Sequence, residues 1–247
     1  MNCKKQSQYM KHFVIAAFGM LFMGAALAQT PHKPGTATVS HTAPKPKERL
    51  VEITTDFGKM VVKLYDSTPL HRDNFVKLVK QGFYDSLLFH RVMQGFMIQG
   101  GDPESKHADS GALLGGGDIP NVGMIPAEMK PSLIHKKGAL AMARNDNPEK
   151  ASSNCQFYIV QGQVFDDQKI NDMECQRVRP ANPAFYYTEA QRKVYKSTGG
   201  APFLDQNYTV FGEVVQGLEV IDKIAAQQVD GNNRPLKNAR MKMRLLN

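Results

Sequence analysis

Val51 to Thr55 and Met60 to Tyr65 are short runs of β-branched or alternating apolar and polar residues, and Asp56-Phe57-Gly58 joins them, which predicts a β-hairpin. Thr68-Pro69 then supplies an N-cap and a first helical residue; Phe75, Leu78 and Val79 fall on one helical face before Gly82 stops the segment. Further strands are predicted at Leu88 to Met93, Phe96 to Gly101, Ala139 to Ala143, Gln156 to Val160, Thr209 to Val215 and Ala239 to Leu246. A second helix is predicted over Gly217 to Ala226, where Leu218, Ile221, Ile224 and Ala225 share a face. The Gly-rich stretch from Asp102 to Ile125 is too broken for regular structure, and no repeat period runs through the chain.

Two regions depart from this strand-rich pattern. Residues 165–200 are charged and Tyr-rich, with Thr188 placed to cap a helix that Gly199-Gly200 ends, so they read as an insertion carrying one or two short helices on a β scaffold. At the other extreme, Lys4, Lys5 and Lys11 precede an unbroken apolar run from Phe13 to Ala28 that closes on Ala26-Leu27-Ala28. That run is short for a bilayer core and ends in a small-x-small cleavage pattern, so residues 1–28 read as a secretory signal peptide cut near Ala28. Residues 29–49, rich in Pro, Thr and Lys, read as a flexible tether, leaving 50–247 as the folded domain. The expected destination is a periplasm or the outside medium, with no stable membrane insertion.

Charge adds little once it is located. The 247 residues carry a formal +8, which invites a nucleic-acid reading, but the leader accounts for three units and the tether for three more. The domain keeps about +2, so no nucleic-acid partner is expected. The exported chain would retain Cys155 and Cys175; strand alternation turns Cys155 inward, and it reads as a buried free thiol rather than half of a bridge.

Most familiar chemistry is missing from the sequence. Gly115-Gly116-Gly117 is followed by Asp118 rather than Lys, no Gly-x-Ser-x-Gly elbow occurs, and His71, His90, His107 and His135 stand singly. These patterns offer nothing to hydrolase, kinase or metalloenzyme readings, and no cofactor or metal is expected. One residue is out of place: Arg91 lies within an apolar strand pattern, where a guanidinium is costly unless paired or aimed at a cleft.

Four blocks, FHRVMQGFMIQGGD, GALAMAR, NCQFYIV and FLDQNYTVFGEVVQGLEVID, stand in order along the chain and resemble the signature of cyclophilin-type peptidyl-prolyl cis-trans isomerases. The resemblance runs from about Val51 to Leu246, close to 160 residues once the insertion is excluded. It implies a mainly β fold, a closed eight-stranded antiparallel β-barrel capped by two α-helices, with the site on an outer face because the interior is filled. It also implies catalytic roles for Arg91, Gln99 and Gln156, and substrate binding by Phe96, Met97, Ala143, Arg144, Tyr158, Phe203, Leu204 and Tyr208. Gln99 would hold Arg91 in place, and Gln156 would hold the peptide backbone. The expected partners are unfolded or flexible polypeptides containing Xaa-Pro, met by a monomer. The alternative is a proline-segment binding or chaperone module with little turnover.

Rotation about an Xaa-Pro bond makes and breaks no covalent bond, so residues of these types suffice: an apolar cup for the ring and a fixed donor for the twisted amide. Some positions depart from the common family pattern. Phe203 and Tyr208 stand where many members have Trp and His, Arg144 stands where many have Asn, and Tyr158 replaces a common Phe, bringing a hydroxyl that needs a partner.

Overall fold

The computed structural model describes residues 49–246. The signal peptide and tether expected from the sequence lie, up to residue 48, outside the described residues. β1 (Arg49–Thr55) and β2 (Gly58–Leu64) form the expected hairpin, with Val51, Ile53, Met60, Val62 and Leu64 turned inward. Alternation sends Glu52 outward instead, where Arg244 donates to it at 2.8 Å. α1 (Pro69–Lys80) follows with Pro69 at its start and buries His71, Phe75, Leu78 and Val79. The remaining strands are β3 (Phe89–Met93), β4 (Met97–Gly100), β5 (Ala139–Met142), β6 (Phe157–Val160), β7 (Val210–Gln216) and β8 (Met241–Leu245). α4 (Leu218–Ala225), named ahead of the two helices of the insertion, buries Val220, Ile221, Ile224 and Ala225.

All eight strands join one antiparallel sheet in the order β3-β4-β6-β5-β7-β2-β1-β8. The sheet curls into an open half-barrel, which corrects the closed barrel expected from the sequence. Its outer strands, β3 and β8, meet only through a bridge between Leu88 and Arg240. The register of that bridge explains the opening. In an antiparallel pairing through Leu88 and Arg240, β3 runs opposite the residues before β8, and β8 runs opposite the residues before β3, so the two strands diverge from their meeting point.

Around β4, β5 and β6 the sheet is apolar on both faces. Leu140, Met142, Phe157 and Ile159 point into the main core, together with the buried faces of α1 and α4. Their sequence neighbours Ala139, Ala141, Tyr158 and Val160 point the other way and build a second apolar cluster with Met97, Leu204 and Val210. This is why β5 and β6 are buried along their whole length, and it places an apolar surface on the outside of the half-barrel.

Between β6 and a short 3-10 turn at Pro202–Leu204, the chain makes its excursion. α2 (Asp167–Met173), N-capped by Asp166, continues through a π-turn at Glu174–Val178 and one further turn, and α3 (Glu189–Ser197) closes the segment. Thr188 caps α3 in a reciprocal capping box with Gln191. The excursion has its own apolar centre, Phe165, Ile170, Val178, Phe185, Tyr187 and Tyr195, seated on Ile134. Its two ends are pinned by paired backbone hydrogen bonds between Gln163 and Gly200, at 3.0 and 3.1 Å. The stems touch so closely there that a Cβ on Gly162 would enter the backbone of Gly200.

Candidate functional site

Strand register assembles the site. Arg91 on β3 pairs with Gln99 on β4, Gln99 with Tyr158 on β6, and Tyr158 with Ala141 on β5, so these four residues form one cross-strand row on the outer face. Met97, two residues before Gln99, points the same way and extends the apolar patch. From across the patch the 3-10 turn brings Leu204, and the loop after it brings Tyr208. The result is a cavity of about 110 Å³ lined by Arg91, Gln99 and a mainly apolar wall.

Nine of the eleven residues named from the sequence line this cavity: Arg91, Phe96, Met97, Gln99, Ala143, Arg144, Tyr158, Leu204 and Tyr208. Phe203 stands beside it, its ring 5.3 Å from that of Phe96. Gln156 lies outside the lining. Its amide nitrogen donates to the carbonyls of Gly115 and Gly117, at 3.1 and 2.7 Å, and its amide oxygen accepts from Gln99 at 3.1 Å. The Gly-rich loop therefore holds Gln156, and Gln156 holds Gln99, whereas the sequence suggested that Gln156 faces the peptide.

Gln99 in turn accepts from Arg91 Nη1 at 3.1 Å, and the Met93 sulfur accepts from Nη2 at 3.1 Å. No carboxylate among the described residues pairs with Arg91, so its charge is held in place without being neutralised. Arg144 takes a different course. Its Nε donates to the Asn207 carbonyl at 3.0 Å, and its guanidinium lies 4.8 Å from the centre of the Tyr208 ring, which fastens the 203–208 loop against β5.

Beneath the cavity lies a network that the sequence did not reveal. The Tyr158 hydroxyl is 3.0 Å from His135 Nε2, and His135 Nδ1 is 2.7 Å from Asp205 Oδ1. A carboxylate only accepts, so Nδ1 donates to Asp205, and the Tyr158 hydroxyl closes the chain at Nε2. Asp205 is fully buried and also accepts from the His135 backbone N–H at 2.8 Å and from the hydroxyls of Tyr187 and Tyr195, at 2.7 and 2.5 Å. Four donors thus satisfy one buried carboxylate, two of them from the excursion between β6 and the Pro202–Leu204 turn. Burial first, then the neighbouring Tyr208 and Asp205, pushes the Tyr158 hydroxyl well above its usual pKa and keeps it neutral. The one signal for this network in the sequence was the unexplained hydroxyl of Tyr158; nothing in the spacing of His135, Asp205, Tyr187 and Tyr195 marks them as partners.

Comparison with known proteins agrees with this geometry. Residues 50–244 match the family model described as cyclophilin type peptidyl-prolyl cis-trans isomerase/CLD. A Staphylococcus haemolyticus protein named as a putative peptidyl-prolyl cis-trans isomerase is 34% identical over 187 residues, covering 75% of this chain and 85% of its own length. The crystal structure of a Cryptosporidium parvum cyclophilin type peptidyl-prolyl cis-trans isomerase superposes with a TM-score of 0.58 at 22% identity, over 81% of this chain and 99% of that one. A second structure of that protein, in the presence of the dipeptide Ala-Pro, gives a TM-score of 0.56 over 80% of this chain and 99% of its own, also at 22% identity.

Proposed function

The chain belongs to the cyclophilin-type peptidyl-prolyl cis-trans isomerases and is an enzyme of that activity, and from this premise we propose that it accelerates rotation about Xaa-Pro bonds in exported polypeptides by gripping the proline ring and stabilising the twisted amide with Arg91. The observation that carries the mechanism is a guanidinium with no carboxylate partner among the described residues, fixed by Gln99 at the lip of an apolar cavity.

The uncatalysed barrier is about 18–20 kcal/mol because the amide loses resonance as it twists. Near the top the prolyl nitrogen becomes pyramidal and gains a lone pair, so catalysis means binding that geometry better than either planar isomer. Phe96, Met97, Tyr158 and Leu204 offer the cup that holds the ring while the preceding carbonyl turns. Arg91 offers fixed donors for the proline's own carbonyl oxygen and for the developing lone pair. A preorganised donor of this kind contributes roughly 3–4 kcal/mol in comparable sites. Gln99 and Gln156 act as successive braces that keep the guanidinium aimed.

The export of the clients rests on the leader-like residues 1–28, and recovery of a mature chain beginning at Gln29 outside the cytoplasm would test it. The activity is tested by exchange spectroscopy on a short Ala-Pro peptide. Cis and trans signals that exchange faster with substoichiometric protein support the enzyme, whereas binding with exchange left at the spontaneous rate of tens to hundreds of seconds would support the binding module.

A further inference from the structure

A second, larger groove of about 820 Å³ adjoins the cavity and shares Arg144, Leu204 and Tyr208 with it. Its far wall comes from the excursion: Met173 ends α2, Arg177 lies on the π-turn, and Pro180 lies just beyond. The lining holds three cations, Arg144, Lys150 and Arg177, and no Asp or Glu. Neither Lys150 nor Arg177 has a carboxylate partner among the described residues, and Lys150 donates only to the Gln206 carbonyl, at 3.0 Å. Arg144 comes within 3.6 Å of Asp146, whose carboxylate is fully exposed and outside the groove lining. Burial, and then the charge of Arg144, lowers the Lys150 pKa. The excursion is nearly neutral as a whole, but its own acid in this region, Glu174, is turned away and spent on Arg192 at 3.2 Å and on the Tyr187 backbone N–H at 3.0 Å.

We propose that this groove is a second substrate subsite, which takes acidic residues flanking the proline of a client polypeptide and so selects among Xaa-Pro segments. The inference rests on the isomerase reading, because a chain seated with proline in the small cavity must leave past the residues the two spaces share. Arg144 and Tyr208 form the common wall, Phe203 and Leu204 give the flank an apolar floor, and Lys150 and Arg177 supply charge complementary to Glu or Asp.

The test compares kcat/KM, by exchange spectroscopy, for peptides with one Ala-Pro core and four flanking residues that are Gln, Glu or Lys, placed before the proline in one series and after it in another. At low ionic strength the acidic flank should exceed the neutral one by about three- to tenfold in at least one series, as expected for a few partly exposed charge pairs, and the ratio should shrink at 0.5 M salt. In the double variant Lys150→Gln/Arg177→Gln that ratio should fall to about one; being a ratio, it does not depend on the fraction of protein correctly folded. Equal rates for acidic and neutral peptides in both series, with the neutral peptide still turned over, would overturn the subsite and leave the isomerase standing. A preference that survives in the double variant would also overturn it, as would inhibition by short single-stranded DNA without any acidic-peptide preference. Failure of the neutral peptide to turn over would overturn the isomerase reading itself.

Discussion

Asp205→Ala removes the acceptor that joins the pocket floor to the excursion, and its cost can be worked from the contacts. Four donors lose a carboxylate: the backbone N–H and Nδ1 of His135, and the hydroxyls of Tyr187 and Tyr195. Tyr187 keeps a second acceptor, the Pro202 carbonyl at 3.0 Å, which leaves three donors stranded in a fully buried site. At about 1–3 kcal/mol for each unsatisfied buried donor, and with a water entering the vacated space, the expected loss is about 3–5 kcal/mol, toward the low end of the summed range. That corresponds to a Tm lowered by about 10 °C for a domain of this size. Tyr158→Phe should cost only about 1–2 kcal/mol, since it removes a single hydrogen bond, the one to His135 Nε2. The two changes act on one network, so the double variant should lose less than the sum of the single losses. Urea unfolding followed by far-UV circular dichroism reads all three variants, tryptophan fluorescence being closed to a chain with no Trp. A loss below 1 kcal/mol for Asp205→Ala, or strict additivity with Tyr158→Phe, would refute the network as a stabilising unit.

Two further predictions concern buried groups away from the cavity. Burial is the main cause that lowers the His90 pKa to about 4. Between that value and the unfolded value near 6.5, the unfolded chain takes up a proton that the folded one refuses, so stability is full above about pH 6.5 and falls by up to about 3 kcal/mol as the pH drops toward 4. His90→Leu should keep its stability at pH 7 and lose that share of the acid sensitivity; equal pH dependence in both proteins would contradict this. Cys155 is a buried free thiol whose pKa burial, then the charge of Asp118, raises to about 12. Peptide mapping should find it unlabelled by iodoacetamide in the folded protein at pH 8 and labelled in urea, and native labelling would show the thiol to be exposed.

Local pattern was informative wherever side chains alternate against a core. The β1–β2 hairpin, α1 beginning at Pro69 and the buried strands β5 and β6 all lie within a few residues of their expected positions, because periodicity and capping are local properties. Closure of the sheet was not legible, since it depends on the register of one bridge between residues 152 positions apart, Leu88 and Arg240. The cavity residues came from motif resemblance, and strand register, the Pro202–Leu204 turn and the adjoining loops then gather nine of them around one space. What the sequence hid was the direction of side-chain amides and hydroxyls. Gln156 turns to the Gly115–Gly117 loop, and His135, scattered among other single histidines in the sequence, is the partner that the Tyr158 hydroxyl requires. The excursion is nearly neutral by composition, yet folding sorts its charges, turning Glu174 inward and leaving Arg177 on the groove.

The central claim is that a braced, uncompensated guanidinium stabilises the twisted amide, and exchange spectroscopy on an Ala-Pro peptide with wild type and Arg91→Ala tests it most directly. Loss of roughly 3–4 kcal/mol of transition-state stabilisation corresponds to a fall in kcat/KM on the order of 10²- to 10³-fold, with peptide affinity changed far less. Exchange in Arg91→Ala within a few-fold of wild type, in a variant with unaltered circular dichroism, would contradict the account.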